Sequence, residues 1–241
     1  MLRIVDLFSG LHSWTRPLKY IKDHENFRLF SCDNNESYAK NTTKICDILD
    51  LTADEVIESL GGKPDIILAS PPCTTFSIAS CGHHWTGGFR AYIPKTEEAY
   101  IGLKLLMKTL QLIKELSKES TIYFIENPRG LMRKMGCMAD LPRQTIWYCQ
   151  YGETEGILRA KPTDIWTNSE SWEGRPVCKN HTFEDGVRTS THCDHVSARR
   201  GAKTGTQGLK NNALRSEIPY ELCNEILMSA IHETYMLRGD E

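Results

Sequence analysis

The sequence predicts an α/β fold built on a doubly wound, mostly parallel sheet. Short, almost wholly apolar runs recur along the first half of the chain and read as strands buried on both faces. Helical periodicity alternates with them, and polar or Gly/Pro turns close each run.

Leu2 to Leu7 is the first strand and runs into a turn at Ser9-Gly10. Leu11 to Asp23 reads as a helix that Pro17 kinks or delays. Phe27 to Cys32 is the second strand, ending at Asp33, and a short helix over Ser37 to Asn41 leads to Ile45-Cys46-Asp47-Ile48. Thr52 and Glu55 have capping-box spacing at the head of a helix that runs to Leu60 and stops at Gly61-Gly62. Next comes Asp65 to Ala69, a buried strand followed by Ser70-Pro71-Pro72-Cys73. Two prolines end the ladder and fix the exit direction, so Cys73 is presented at the strand's carboxyl end, where open α/β sheets bind ligands.

Glu97 to Leu116 is an amphipathic helix expected to lay Tyr100, Leu103, Met107, Leu110 and Ile113 on the sheet. Ile122 to Ile125 is a further strand, ending in Glu126-Asn127-Pro128. Thr145 to Tyr151 and Asp164 to Thr167 read as an antiparallel edge hairpin around Gly152 and Gly156. Beyond Asn168 the chain turns polar until an amphipathic helix near Tyr220. The expected organisation is a main domain over 1–168, a small recognition segment over 169–215, and a terminal stretch over 216–241 packing back on the domain.

At 241 residues the chain can bury a full core, and 40% hydrophobic with 25% charged residues excludes a disordered default. A net charge of -2 excludes global steering to a polyanion, so any nucleic-acid surface is a local patch. Nine cysteines, an odd number, and no basic-flanked apolar run before Asp6 point to a reducing, cytoplasmic setting rather than a disulfide scaffold. No apolar run approaches the length of a membrane span.

Cys73 alone is as readily a buried structural thiol as a reactive one. Its neighbours change the weighing. Asp6-Leu7-Phe8-Ser9-Gly10, then Pro72-Cys73 with Phe76-Ser77, then Glu126-Asn127, each ending a predicted strand, resemble in content and order the motifs of the C5-cytosine nucleic-acid methyltransferases. The resemblance covers about two thirds of the chain. It implies a Rossmann-like domain, S-adenosylmethionine as methyl donor, DNA as substrate, and Cys73 and Glu126 as catalytic nucleophile and proton carrier. The absence of Gly-x-Gly-x-x-Gly spacing after the first strand agrees with a donor that has no pyrophosphate.

By the same resemblance the donor site comprises Asp6, Phe8, Ser9, Gly10, Asp33, Asn34, Asp47, Ile48, Ser70 and Pro72. Asp33 is expected on the ribose hydroxyls, Asp47 on the adenine amino group and Phe8 against the ring. Read without the resemblance, Asp33 and Asp47 are ordinary turn residues. Arg159 and Lys161 occupy the positions of two pocket arginines, Arg159 being expected on the cytosine oxygen with Lys161 as helper. A solvated basic pair is the alternative.

Ile218-Pro219-Tyr220-Glu221-Leu222 resembles the family's last motif. The departures are these: Leu11-His12-Ser13 replaces paired glycines, Pro128 replaces a valine, the glutamine before Arg159 is missing from a loop two residues longer, Lys161 replaces an arginine, and Arg215-Ser216 replaces Gly-Asn before the last motif.

A cytosine in a duplex must leave the stack to reach such a thiol. The stretch from Thr74 to Lys95 reads as a mobile loop with hinge glycines, Arg90 and His83-His84 for phosphate, and Trp85 for stacking. Ser77, Arg90, Arg199, Arg200, Lys203 and Lys210 are the candidate nucleic-acid contacts. Cys178, His181, Cys193 and His195 are a candidate structural zinc site, although their spacing matches no standard finger. The short recognition segment suggests a short or degenerate target, or specificity borrowed from a protein partner. Competing readings are cytosine C5 methylation of RNA, N4-cytosine or N6-adenine amino methylation, and an inactive nucleic-acid-binding relative.

Overall fold

The computed structural model describes residues 1–21, 26–154, 156–178, 182–184, 187–189 and 212–239. The chain forms β1 (Leu2–Leu7), β2 (Phe27–Asp33), β3 (Lys44–Ile45), α1 (Ala53–Leu60) and β4 (Ile66–Ala69). A short helix α2 (Cys81–His84) and a hairpin of β5 (Trp85–Gly88) and β6 (Ala91–Pro94) lead to α3 (Glu97–Leu116) and β7 (Ile122–Pro128). After β8 (Arg143–Trp147), β9 (Glu153–Thr154), β10 (Ile157–Leu158) and β11 (Pro162–Thr167) come the hairpin β12 (Thr182–Glu184) and β13 (Val187–Thr189), then α4 (Asn212–Ser216) and α5 (Tyr220–Arg238).

Seven strands share one sheet in the order β3-β2-β1-β4-β7-β11-β8. Those from β3 to β7 are parallel, and β11 runs antiparallel to both its neighbours. From β1 the chain steps outward to β2 and β3, then returns to place β4 and β7 on the other side. The switch point therefore lies between β1 and β4, and a cleft opens outside their carboxyl ends.

Alternation along each strand divides the core into two layers. Val5, Leu7, Ile67 and Ala69 face α1 and α3, with Leu106, Leu112 and Leu116 completing that layer. Leu2, Ile4, Ile66, Leu68 and Phe124 face α5, which buries Leu222, Ile226, Leu227 and Ala230. α1 begins as its sequence predicts: Thr52 and Glu55 form the reciprocal capping box, and Gly61 ends the helix at φ 65°.

Several expectations are corrected. The helix expected over Leu11 to Asp23 is only a 3-10 segment over Arg16–Tyr20, with Pro17 in its first turn. Phe8, Gly10 and His12 before it have φ of 62°, 46° and 55°, so no helix can be continuous there. On α3 the buried residues are Ala99, Gly102, Leu106, Thr109, Leu112, Ile113 and Leu116, with Leu103 and Leu110 packed against the core, while Tyr100 and Met107 are half exposed. The buried face turned because α3 touches its neighbours through small residues: a Cβ at Gly102 would lie 2.8 Å from Thr75 Oγ1. The expected mobile loop is instead α2 and the β5–β6 hairpin. Trp85 is buried there, stacked on Phe76 with its indole N–H donated to the Thr75 carbonyl at 2.9 Å, so it offers no stacking face to a base.

The chain also stays with the core beyond Asn168. Glu233 accepts hydrogen bonds from Ser169 Oγ at 2.5 Å and the Glu170 N–H at 2.9 Å, and Trp172 packs edge-on to Phe124.

Candidate active site

Three strand ends meet at the cleft. Residues 8–10 leave β1, residues 70–73 leave β4, and Glu126 to Pro128 end β7. Phe8, Ser9, Gly10, Ser70, Pro71, Pro72, Cys73, Glu126, Pro128 and Lys161 line one cavity, closed from above by Ser216 and Ile218. Phe8 and Pro72 also line a second cavity with Cys32, Asp33, Asn34, Cys46, Asp47 and Ile48. The two are the ends of a single groove across the switch point.

The turn that carries Cys73 and the strand end that carries Glu126 are held together by Asn127. Asn127 donates its amide to the Pro71 carbonyl at 2.7 Å in a buried contact, tying the Pro-Pro turn to the end of β7. A second tie runs from the Leu131 N–H to the Phe76 carbonyl at 2.7 Å. There the chains approach so closely that a Cβ on Gly130 would lie 2.4 Å from that oxygen.

Glu126 is almost fully buried and takes a 2.7 Å hydrogen bond from the Tyr148 hydroxyl, with Lys161 Nζ 3.7 Å from the same oxygen. As a strand-end carboxylate Glu126 could have paired with Arg129 or Arg133; Arg133 is instead paired with Asp164 at 3.0 Å. Tyr148 is itself buried, and its hydroxyl is pushed well above the ordinary phenol range by burial and by the Glu126 charge, so it is a fixed donor. The sequence reading missed Tyr148 and Asn127. Glu126-Asn127 is a motif in which only the acid was weighed, and Tyr148 resembles any apolar strand residue.

Cys73 is half-buried and its thiol is pushed up, first by burial; Lys161 opposes that shift and Glu126 adds to it. The thiol is therefore protonated at neutral pH before a substrate arrives, and Lys161 is the cation that favours the thiolate.

Lys161 and Arg159 exchange the importance expected of them. Arg159 is buried and does not line the cavity: its guanidinium donates to the carbonyls of Leu214, Arg215 and Glu217 at 3.2, 3.1 and 2.7 Å and to Thr154 Oγ1 at 2.8 Å. Four of its five N–H donors are committed there, which turns the guanidinium toward the 214–217 segment. It fixes the 214–217 segment, which brings Ser216 and Ile218 to the cavity wall. The Ile218 N–H reaches Ser13 Oγ at 3.3 Å, so the last motif folds back to the donor side despite Arg215-Ser216.

The groove fits the donor that the resemblance implies. Asp33 receives the N–H groups of Gly10 and Asn35, both at 2.9 Å, which fixes its carboxylate at the cavity with lone pairs to spare for hydroxyls. Asp47 Oδ1 is set by the Leu49 N–H at 2.9 Å. Ser9 Oγ is a buried hydroxyl with no partner on the wall where a methionine-like end would lie. A positive φ at Phe8 is strain of the kind that accumulates at binding sites, and it swings the ring between the two ends. Asp6 is corrected. It faces the α5 layer with Leu2 and Ile4, takes a 3.3 Å bond from Thr15 Oγ1, and lines neither cavity. Burial pushes its carboxyl up to about 8, so it is a neutral support beneath the turn at pH 7.

Of the nucleic-acid candidates, Ser77 is half-buried with its hydroxyl 2.8 Å from Ser80 Oγ, and Arg90 is exposed and paired with Asp140. Arg199, Arg200, Lys203 and Lys210 lie outside the described residues. So do His181, Cys193 and His195 of the zinc candidate; Cys178 is buried. Among the described residues no group of three or more His, Cys, Asp or Glu side chains is placed to hold a metal, and no helix is long and apolar enough to cross a membrane.

A sequence profile of the C-5 cytosine-specific DNA methylases matches residues 2–138. A "Probable DNA (cytosine-5)-methyltransferase" of Frog virus 3 is 25% identical over 236 residues, 94% of this chain and 99% of its own. Among solved structures, the Dnmt2 methyltransferase of S. pombe covers 73% of this chain at 15% identity and a TM-score of 0.46, and this chain spans 54% of that one. The Entamoeba histolytica methyltransferase EhMeth gives 73%, 13% and 0.46, with 56% of its length spanned. The profile covers more than half of the sequence and contains all three strand-end motifs, so the chain belongs to the C-5 cytosine-specific DNA methylase family, which draws its methyl group from S-adenosylmethionine.

Proposed function

We propose that this protein methylates C5 of cytosine in DNA through a covalent intermediate on Cys73. The observation that carries the reading is that the Cys73 thiol, the Glu126 carboxylate and the Lys161 ammonium line one cavity at the end of the donor groove.

Cytosine C5 is too weak a nucleophile to take a methyl group unaided. Addition of the Cys73 sulfur to C6 forms a C–S bond and moves the C5–C6 electron pair onto C5. S-adenosylmethionine, when bound, supplies a sulfonium methyl group to that carbon. Loss of the C5 proton to a base then restores the double bond and expels the Cys73 thiolate.

Glu126 holds N3 and the exocyclic amine, delivering a proton to N3 as negative charge develops in the ring. Tyr148 fixes the Glu126 oxygen that it binds, and Lys161 stabilises both the thiolate and the carboxylate. Arg159 acts one step removed, by anchoring the segment that closes the cavity. Asp33, Asn34, Asp47 and Ile48 hold the nucleoside end of the donor, and Ser9, Gly10, Ser70 and Pro72 its reactive end. Within the segment over 169–215, the part beyond Cys178 reads the target, with Arg199, Arg200, Lys203 and Lys210 on phosphate. Its shortness favours a short or degenerate target sequence.

The test is transfer of labelled methyl from S-adenosylmethionine to unmodified duplex DNA and to tRNA in parallel, with bisulfite sequencing of the DNA product. The reading expects label in DNA and 5-methylcytosine in many contexts. Label in tRNA alone would overturn the DNA assignment, and label on an exocyclic amine would overturn the chemistry.

A further inference from the structure

A second groove opens on the same edge of the sheet, one residue past the cavity. Pro128 lines the cavity, and Arg129, Gly130, Leu131, Arg133 and Lys134 line this groove, facing Ile78, Cys81, Trp85 and Tyr92. Its walls are the segment leaving Cys73 and the segment leaving Glu126, so its position is locked to the reacting groups by the Leu131–Phe76 and Arg90–Lys134 backbone hydrogen bonds, at 2.7 and 2.8 Å.

The lining holds three cations and no acid. Arg133 is neutralised by Asp164, which also pairs with Arg143, both at 3.0 Å. Arg129 and Lys134 are exposed, and Arg129 shares the field of the same carboxylate, so three arginines divide one Asp164 and, with Lys134, leave positive charge in excess. Arg129 is anchored through its backbone, whose N–H meets the Pro162 carbonyl at 2.9 Å. Ile78 is 73% exposed on the opposite wall. A chain with a net charge of -2 concentrates uncompensated cations here, beside the thiol, along with apolar surface that a sugar face would cover.

We propose that this groove carries the sugar-phosphate backbone of the DNA strand that contains the target cytosine, with Arg129 and Lys134 on the phosphates flanking the base and Ile78 and Tyr92 against the sugars. The assignment rests on the DNA reading above. It moves the phosphate contacts near the thiol from the expected Arg90 and histidine pair to the segment after β7. Arg90 is held by Asp140, and His84 Nδ1 is 2.7 Å from Thr96 Oγ1.

The test compares the full chain with the double variant Arg129→Glu, Lys134→Glu on a short cytosine-containing duplex. It measures duplex affinity across a salt series, KM and kcat for methyl transfer, and donor affinity. The groove predicts weaker duplex binding and a higher KM, on the order of tenfold, with a log-log salt slope shallower by about two. Donor affinity stays unchanged. The neutral pair Arg129→Gln, Lys134→Gln shifts both quantities the same way by less, and Lys114→Glu, in the last turn of α3, shifts neither.

Unchanged duplex affinity and slope in a variant that still binds donor would overturn the groove alone. A wild-type enzyme that transfers methyl to tRNA and ignores DNA would overturn the substrate reading and this assignment with it.

Discussion

Two cysteines in one groove are set to opposite ends of the thiol range by their neighbours. Cys73 is pushed up by burial, whereas Cys46 is pulled below the ordinary value, first by a hydrogen bond from Cys32 and further by Lys44. At pH 7 iodoacetamide should therefore label Cys46 first, with donor protecting it, while Cys73 labels only as the pH rises through its raised value. The sign at Cys73 follows from charge. Removing the cation in Lys161→Gln moves its labelling curve to higher pH, and removing the anion in Glu126→Gln moves it to lower pH. Peptide mass spectrometry across a pH series checks the order. Curves that do not move in either variant would separate Cys73 from both side chains.

These residues differ in how legible they were. Cys73 and Glu126 stood out because three short motifs, each ending an apolar strand, occur in the order that the resemblance requires. Arg159 and Lys161 were equivalent by alternation, and only the position of the 214–217 carbonyls decided which one was sequestered. Asp6 was misread because the motif it begins is functional as a whole, while strand alternation turns its first member to the opposite layer.

At the level of elements, the site depends on two loops from different strands being fastened together. The Asn127 amide and the Gly130 contact do this, and neither belongs to the chemistry. Truncation in Asn127→Ala leaves the buried Pro71 carbonyl without its partner, a cost of about 1–3 kcal/mol. Thr52→Ala, which removes the distant capping box, costs about 1 kcal/mol. Thermal denaturation should show both losses. Only Asn127→Ala should also lower kcat, because only it releases Cys73 from Glu126. Equal kcat in the two variants would mean that the tie is merely structural.

Element prediction succeeded where local chemistry is decisive, as at the capping box, the Gly61 stop and the twenty-residue helix α3. It failed where contacts across the fold decide. Small residues on α3 face the sheet because the Cys73 segment crosses there, and the helix after β1 is cut short by a strained turn that no propensity announces.

On the scale of the molecule, one switch point organises everything. Strand order alone brings Phe8, Cys73 and Glu126, which are far apart in sequence, to a common edge, and the returning chain before α5 closes the cavity with Ile218. The basic groove beside it extends the same edge, and on the proposed reading donor, base and phosphates follow one line across the carboxyl ends of β1, β4 and β7. The doubly wound order was readable from alternation of strands and helices. What the sequence could not show is that the residues from Ser169 to Cys178 stay on the core, since their anchor, Glu233, lies on the last helix.

The account turns on a sulfur–carbon bond between Cys73 and the base. Incubating the enzyme with S-adenosylmethionine and a duplex carrying 5-fluorocytosine removes the C5 proton that release requires, so the adduct should accumulate. Mass spectrometry of the digested complex is predicted to find the fluorinated, methylated nucleotide on the peptide containing Cys73 and none in Cys73→Ala. Methyl transfer to ordinary DNA without any such adduct, or an adduct on another cysteine, would contradict it.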